Sequence, residues 1–453
     1  MARLARLCAV SIVVAAASAL RPAPEQNKST VAPPSRDPFY ETPDWAHTVK
    51  PGTILKQRNL PSGLAAFGQS FDKHFQYTQQ ILYRTTGEDG SASATILTVL
   101  VPHNADYSKV VSLQVAEDTA SIDCAPSFGF LAASADYPAL DAPTVKVHLL
   151  LAQAAFSRGW IVVIPDTAGP KAVYPTGTSA AYAVLDGLRA AFHSAPMTNI
   201  SSNASVGLWG YSGGGSETLD AVRVLPSYAP ELHITGAAIG GISPFYTDLA
   251  DAIAVLNKGP AANLIPVALL GGTAYRPDLR EALEKALKPE FRKHFFSALH
   301  QCHDANKKTF YNDDILSMFT DPQSAISIFS NASMSPQALS TDMAPKTTPI
   351  YWYQLEEDHL VDSSKIIQLV KKWCAAGSHI DFQLETYSGL KHAGYGLVGA
   401  PSAVRWLAGA FEGRAERGGC SNKTVSTPQI EPHYSNMFPK QLQANMKLFV
   451  SRV

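Results

Sequence analysis

The stretch that most confines what this chain can fold into is "SVGLWGYSGGGSETLDAVRVL", residues 205–225. An apolar run with strand character, "SVGLWG", meets a glycine-rich turn and then a helix candidate, "ETLDAVRVL". The bare pattern of Gly210, Ser212 and Gly214 decides little. With Gly and Ser each near ~7% of residues, about one chain of this length in seven carries G-x-S-x-G by chance. The setting is what constrains. Strand, sharp turn and helix together turn G-x-S-x-G into a nucleophile elbow, in which small neighbours make room for a strained, exposed serine. The backbone N–H of Gly213 would then face a developing oxyanion.

The rest of the chain supplies a matching scaffold. Strand-like segments run "QQILYRTT", "SATILTVLVP", "VVSLQVAED" and "WIVVIPD" from about residue 80. Helical candidates "VHLLLAQAAFSRG" and "SAAYAVLDGLRAAFHS" alternate with them, and "TPIYWYQL", "IDFQLETY" and "APSAVRWLAGAF" resume the pattern later. Such alternation predicts an α/β fold with a mostly parallel central sheet and helices on both faces. A sandwich would need hairpin turns every 8 to 12 residues, and these are missing. Residues 241–335 break the alternation. Leu279, Leu283 and Leu287 stand at i, i+4 and i+8 with charges between them; Pro277 suits a helix start and Pro289 an interruption. This predicts a helical insertion, by default a structural cap and, in the sharper reading, a lid. The core is expected over 80–240 and 336–415, with a Pro-rich extended lead-in over 20–79 and a C-terminal tail or flap over 416–453.

The first residues, "MARLARLCAVSIVVAAASAL", pair Arg3 and Arg6 with a short apolar run and a small-residue site at Ala17-Ser18-Ala19. That is the pattern of a secretory signal peptide over 1–19. No later apolar run approaches the ~18 residues that would span a bilayer. Past the leader, Cys124, Cys302, Cys374 and Cys420 remain. In an oxidising compartment they suggest two disulfides, with three connectivities open. No C-x-x-C pair is present, and His300 and His303 beside Cys302 read as a solvated helix end, so no metal is expected. Sequons at Asn27, Asn199, Asn203, Asn331 and Asn422 read as surface loops open to glycosylation. A net charge of -1, with 17% charged residues, gives no basic stripe for nucleic acid.

A serine nucleophile needs a base, and the base an orienting acid. Downstream of Ser212, "YWYQLEEDHLVD" offers an acid just past a strand, and "YSGLKHAGYG" offers His392 just past another. Asp358 is the favoured acid; Asp362, Glu357 and Glu356 are rivals on the same loop, and His359 lies in the wrong segment to be the base. The order serine, acid, histidine is that of α/β-hydrolases.

Several longer stretches extend this reading: "VAEDTASIDCAPS", "VVIPDTAGPKAVYPTG", "YAVLDGLRAA", "GLWGYSGGG", "PSYAPELHITGAAIGG", "EEDHLVD" and "KHAGYGLVGAPSAVRWL". In them the chain resembles the fungal secretory lipases of the Candida lipase A type, an α/β-hydrolase family, from about residue 80 to 410. The resemblance implies a secreted triacylglycerol lipase acting on lipid esters at a lipid–water interface, as a monomer and without cofactor. It implies Ser212, Asp358 and His392 as a triad, and Asp118 beside Gly213 in the oxyanion hole. It also implies a helical lid over an acyl pocket, and the pairings Cys124–Cys302 and Cys374–Cys420. Three positions depart from the family pattern: Leu355, where glycine is common; Asp362, where proline often follows the valine; and Glu217, where small residues are usual. A carboxylate at 217 either favours the helix N-terminus or polarises the pocket. Two alternatives remain: an esterase or acyltransferase on shorter or aromatic esters, and an inactive binding protein of the same fold. The second predicts a missing triad member, and none is missing.

Overall fold

The computed structural model describes residues 31–175, 177–242, 249–332 (249–252 by backbone alone), 343–415, 419–438 and 440, 443, 444, 446 and 447. The expected signal peptide over 1–19 and the Asn27 sequon lie outside them.

Ten strands form one sheet: β1 (Ile54–Asn59), β2 (Phe75–Thr86), β3 (Ala92–Pro102), β4 (Asp106–Gln114), β5 (Trp160–Pro165), β6 (Ser205–Tyr211), β7 (Ile234–Gly240), β8 (Ile350–Leu355), β9 (Ile380–Glu385) and β10 (Ser421–Val425). Their spatial order is β1-β2-β3-β5-β4-β6-β7-β8-β9-β10. The three pairings from β1 to β5 are antiparallel. From β5 to β10 every pairing is parallel. This is the mostly parallel α/β sheet that the alternation of elements led one to expect, in the α/β-hydrolase architecture that the resemblance implied.

Physical chemistry explains the central strands. "WIVVIP" in β5, "ITGAAIG" in β7 and "IYWYQL" in β8 are buried at every position. Strands covered on both faces read as continuous apolar runs. Successive residues then feed opposite cores. Val162, Ile164, Tyr351 and Tyr353 join one cluster with helices α1 (Pro143–Phe156) and α9 (His392–Phe411). Ile161, Val163, Ile350 and Trp352 join the other, under α2 (Thr178–His193), α3 (Gly213–Tyr228) and α8 (Ser363–Ala375). Period-two alternation thus divides one sheet between two hydrophobic layers.

Between β7 and β8 lie α4 (Leu249–Leu256), α5 (Leu264–Gly272), α6 (Pro277–Ala286) and α7 (Pro322–Ala332). Pro277 opens α6, and Pro289 begins a separate short turn. These helices bury Leu283, Phe295, Phe310 and Phe319 in a cluster of their own, which Ala120 of the main body also joins. A small cleft, open at its mouth, is lined by apolar residues including Tyr174, Ile253, Leu256, Leu264, Ala268 and Phe329. The Cys124–Cys302 disulfide joins this region to the main body, and Cys374–Cys420 joins α8 to the segment before β10.

Two expectations need correction. The lead-in over 20–79 is not merely extended: β1 sits in the sheet, and Leu64, Ala66 and Phe71 are buried in the main core. Its "ILKQRN" is a half-exposed edge strand, so it lacks the apolar run that marks an inner one. The tail over 416–453 likewise contributes β10 to the sheet and buries Tyr434 and Phe438. Asn199 and Asn203 are exposed in loops, whereas Asn331 is exposed on α7 and Asn422 on β10, because sequons require only accessibility. Among the described residues no helix is long and apolar enough to cross a membrane.

Candidate active site

Ser212 follows the last residue of β6, at φ 57° and ψ −127°. A non-glycine residue in this half of backbone space stores about 1–3 kcal/mol and persists only where its surroundings hold it. They do: the Ser212 N–H donates to the Gly240 carbonyl at 2.8 Å. Any side chain on Gly210 would stand 2.0 Å from the Gly214 carbonyl oxygen, and one on Gly214 would stand 2.2 Å from that of Gln114. The two flanking glycines are therefore demanded by close backbone approach.

Parallel strands bring the other residues to the same edge of the sheet. Asp118 follows β4, Asp358 follows β8 and His392 follows β9, each beyond the carboxyl end of its strand. His392 Nε2 lies 2.8 Å from Ser212 Oγ, and His392 Nδ1 lies 2.7 Å from Asp358 Oδ2. The Asp358 side chain is fully buried, and its Oδ1 accepts the Leu360 N–H at 2.9 Å. The rivals do not reach the histidine. Asp362 caps α8, accepting from the Ser364 and Lys365 amides, while Glu356 and Glu357 are exposed. His359 stands edge-on to His392 with ring centroids 6.5 Å apart.

Tyr211, the residue before the serine, is buried and donates its hydroxyl to the His392 carbonyl at 2.7 Å. Its ring lies 5.3 Å from the imidazole. Asp118 has φ 46°, and its Oδ1 lies 3.2 Å from where a side-chain carbon on Gly213 would sit. Residues 118 and 213 are thus immediate neighbours beside the serine.

Behind them stand carboxyl groups that reading by motif did not bring together. Glu117 and Glu217 are both buried. Glu217 Oε2 accepts the Thr167 hydroxyl at 2.7 Å, and Glu117 Oε1 accepts the Ala168 N–H at 3.3 Å. Asp166 accepts the backbone N–H and the hydroxyl of Ser127. Burial raises Glu117 and Glu217 well above the usual carboxyl range and pushes Asp166 up to about 7. The only signal in the chain was the departure at 217 and the adjacent acids of "AED". Among the described residues, no group of three or more His, Cys, Asp or Glu is arranged to hold a metal ion.

A protein-family model described as secretory lipase matches residues 136–419. Lipase A of Arthroderma benhamiae is 36% identical over 423 residues, covering 91% of this chain and 87% of the relative. A protein of Stachybotrys chartarum described as a probable trichothecene esterase is 31% identical over 391 residues, with 84% and 77% covered. Among solved structures, Candida antarctica lipase A in its closed state superposes with a TM-score of 0.76 at 25% identity, covering 93% of this chain and 96% of that one.

Proposed function

Because the chain belongs to the secretory lipase family and is a carboxylic ester hydrolase, we propose that it cleaves lipid esters, triacylglycerols foremost, through an acyl-enzyme on Ser212. The observation that carries this reading is the unbroken path from Ser212 Oγ through the His392 ring to the buried Asp358 carboxylate, with spacings of 2.8 and 2.7 Å. His392 takes the serine proton as Oγ attacks the ester carbonyl, and Asp358 holds the imidazole tautomer and stabilises the imidazolium. The tetrahedral oxyanion is met by the backbone N–H groups of Gly213 and Asp118. One such donor is worth roughly 3–4 kcal/mol of barrier. His392 then returns its proton to the leaving alcohol, and a water attacking along the same path releases the acid. No step calls on a metal or an organic cofactor.

The helices between β7 and β8 act as a lid, and the apolar cleft bounded by Tyr174, Leu264, Ala268 and Phe329 receives the acyl chain. Its apolar walls suit a hydrocarbon. The protein is secreted as a monomer after loss of its leader, and its exposed sequons carry glycans. A second reading, an esterase or acyltransferase on shorter or aromatic esters, is favoured by the similarity to the Stachybotrys protein described as a probable esterase. A hydrolysis profile across acyl lengths separates the two. Turnover of emulsified long-chain triglyceride is expected; turnover of tributyrin and short esters alone would establish the second reading instead.

A further inference from the structure

Glu217 has no part in the reaction just described, yet it is buried one turn beyond the nucleophile. It lies on α3, whose first residue is Gly213. Its carboxyl accepts the Thr167 hydroxyl at 2.7 Å. The next residue along that loop, Ala168, donates its N–H to Glu117, the neighbour of Asp118. The residue before, Asp166, is fastened to the Ser127 backbone and hydroxyl. The 166–168 loop is thus a bracket with three buried carboxyl fastenings. One of them leads to the helix bearing Gly213 and another to the segment bearing Asp118.

We propose that Glu217 is a positioning residue for the oxyanion site, tying the first turns of α3 through Thr167 to the loop that Glu117 ties to Asp118. The inference rests on the reading of Gly213 and Asp118 as oxyanion donors. Donors of this kind act only when held at the right distance, and displacement by a fraction of an ångström is costly.

Other carboxyl groups crowd the bracket. From the β4 loop, Glu117 and Asp118 face Glu217, and from its own helix so does Asp220. Asp220 is paired with Arg223 at 2.8 Å and also feels Glu88. Asp166 acts on Glu117 from the loop itself and also on Tyr40. Burial, compounded by these like charges, raises the Glu217 carboxyl well above the usual carboxyl range.

The test compares Glu217→Gln, Glu217→Ala, Thr167→Val and the Ala/Val double variant in kcat and KM on a soluble p-nitrophenyl ester, with thermal melts to verify folding. The Gln variant keeps an acceptor for Thr167 without titrating. It is expected to hold kcat within about twofold. Glu217→Ala and Thr167→Val should each lower kcat about tenfold with KM within twofold, and the double variant should lose no more than either. Wild-type kcat in the folded Thr167→Val protein, multiplicative losses in the double variant, or a loss in Glu217→Gln as large as in Glu217→Ala would overturn the proposal. Ser212→Ala is run beside them. If it is inactive while these variants behave as wild type, the inference alone fails; if it stays active, the underlying reading fails.

Discussion

Replacing Asp358 by Asn leaves the shape of the site unchanged and alters one hydrogen-bonding atom. The Asp358 carboxylate spends one oxygen on the Leu360 N–H and the other on His392 Nδ1. In Asp358→Asn the amide oxygen retains the first bond, and its NH₂ group then faces the imidazole. His392 is forced to present a bare Nδ1 there and to carry its proton on Nε2, pointing at Ser212. That tautomer cannot accept the serine proton. The expected loss in kcat is about 10⁴-fold, or about 5 kcal/mol of barrier, with little change in thermal stability because the side chains are isosteric. Asp362→Ala gives the opposite signature. Asp362 caps α8 through the Ser364 amide at 3.0 Å and the Lys365 amide at 3.4 Å. Losing the cap costs about 1 kcal/mol of stability and leaves kcat near wild type. The assay is initial-rate hydrolysis of a soluble p-nitrophenyl ester beside a thermal melt. Asp358→Asn within tenfold of wild type, or Asp362→Ala inactive yet folded, would refute the assignment of the acid.

Other outcomes follow from single contacts. Tyr211→Phe removes the 2.7 Å bond to the His392 carbonyl and should lower kcat about tenfold with KM nearly unchanged, at a stability cost of about 1 kcal/mol; equal kinetics would mean the hydroxyl does not position the base. Ala268→Phe, in the wall of the apolar cleft, should shift preference toward shorter acyl chains, read as the ratio of rates on butyrate and long-chain esters. Removing Cys124–Cys302, whose partners are 178 residues apart, should cost about 2–5 kcal/mol in a denaturant titration of the Ala/Ala variant. Asp166 releases its proton near pH 4 when unfolded and near 7 when folded, where burial holds it up. Between those values the folded state binds more protons, so this group makes stability fall as pH rises, and Asp166→Asn should flatten that slope in melts across the window.

The parts of this molecule legible from its residues were those with strong local period or a fixed order. "SVGLWG" before "YSGG" announces a buried strand and sharp turn, because both glycine positions are demanded by backbone contacts at close range. The order of Ser212, Asp358 and His392 could be read because each sits just past a strand. Choosing Asp358 over Asp362 was a matter of loop geometry. The two are four residues apart, and one turns inward to the imidazole while the other caps α8. The strand Ile54–Asn59 carried no apolar run, so its place at the sheet edge was invisible. Glu217 stood out only as a departure; its partners Thr167 and Glu117 lie 50 and 100 positions away in the chain and meet through the parallel sheet. Tertiary contacts of that kind leave no local signature.

The central claim is that Ser212 is the nucleophile. Its most direct measurement is the intact mass and peptide map of the purified enzyme after reaction with a fluorophosphonate. The account predicts one added phosphonyl group, located on Ser212, with hydrolysis lost in step with labelling and no label on Ser212→Ala. Stoichiometric labelling that persists in Ser212→Ala, or full hydrolysis by that variant, would contradict it.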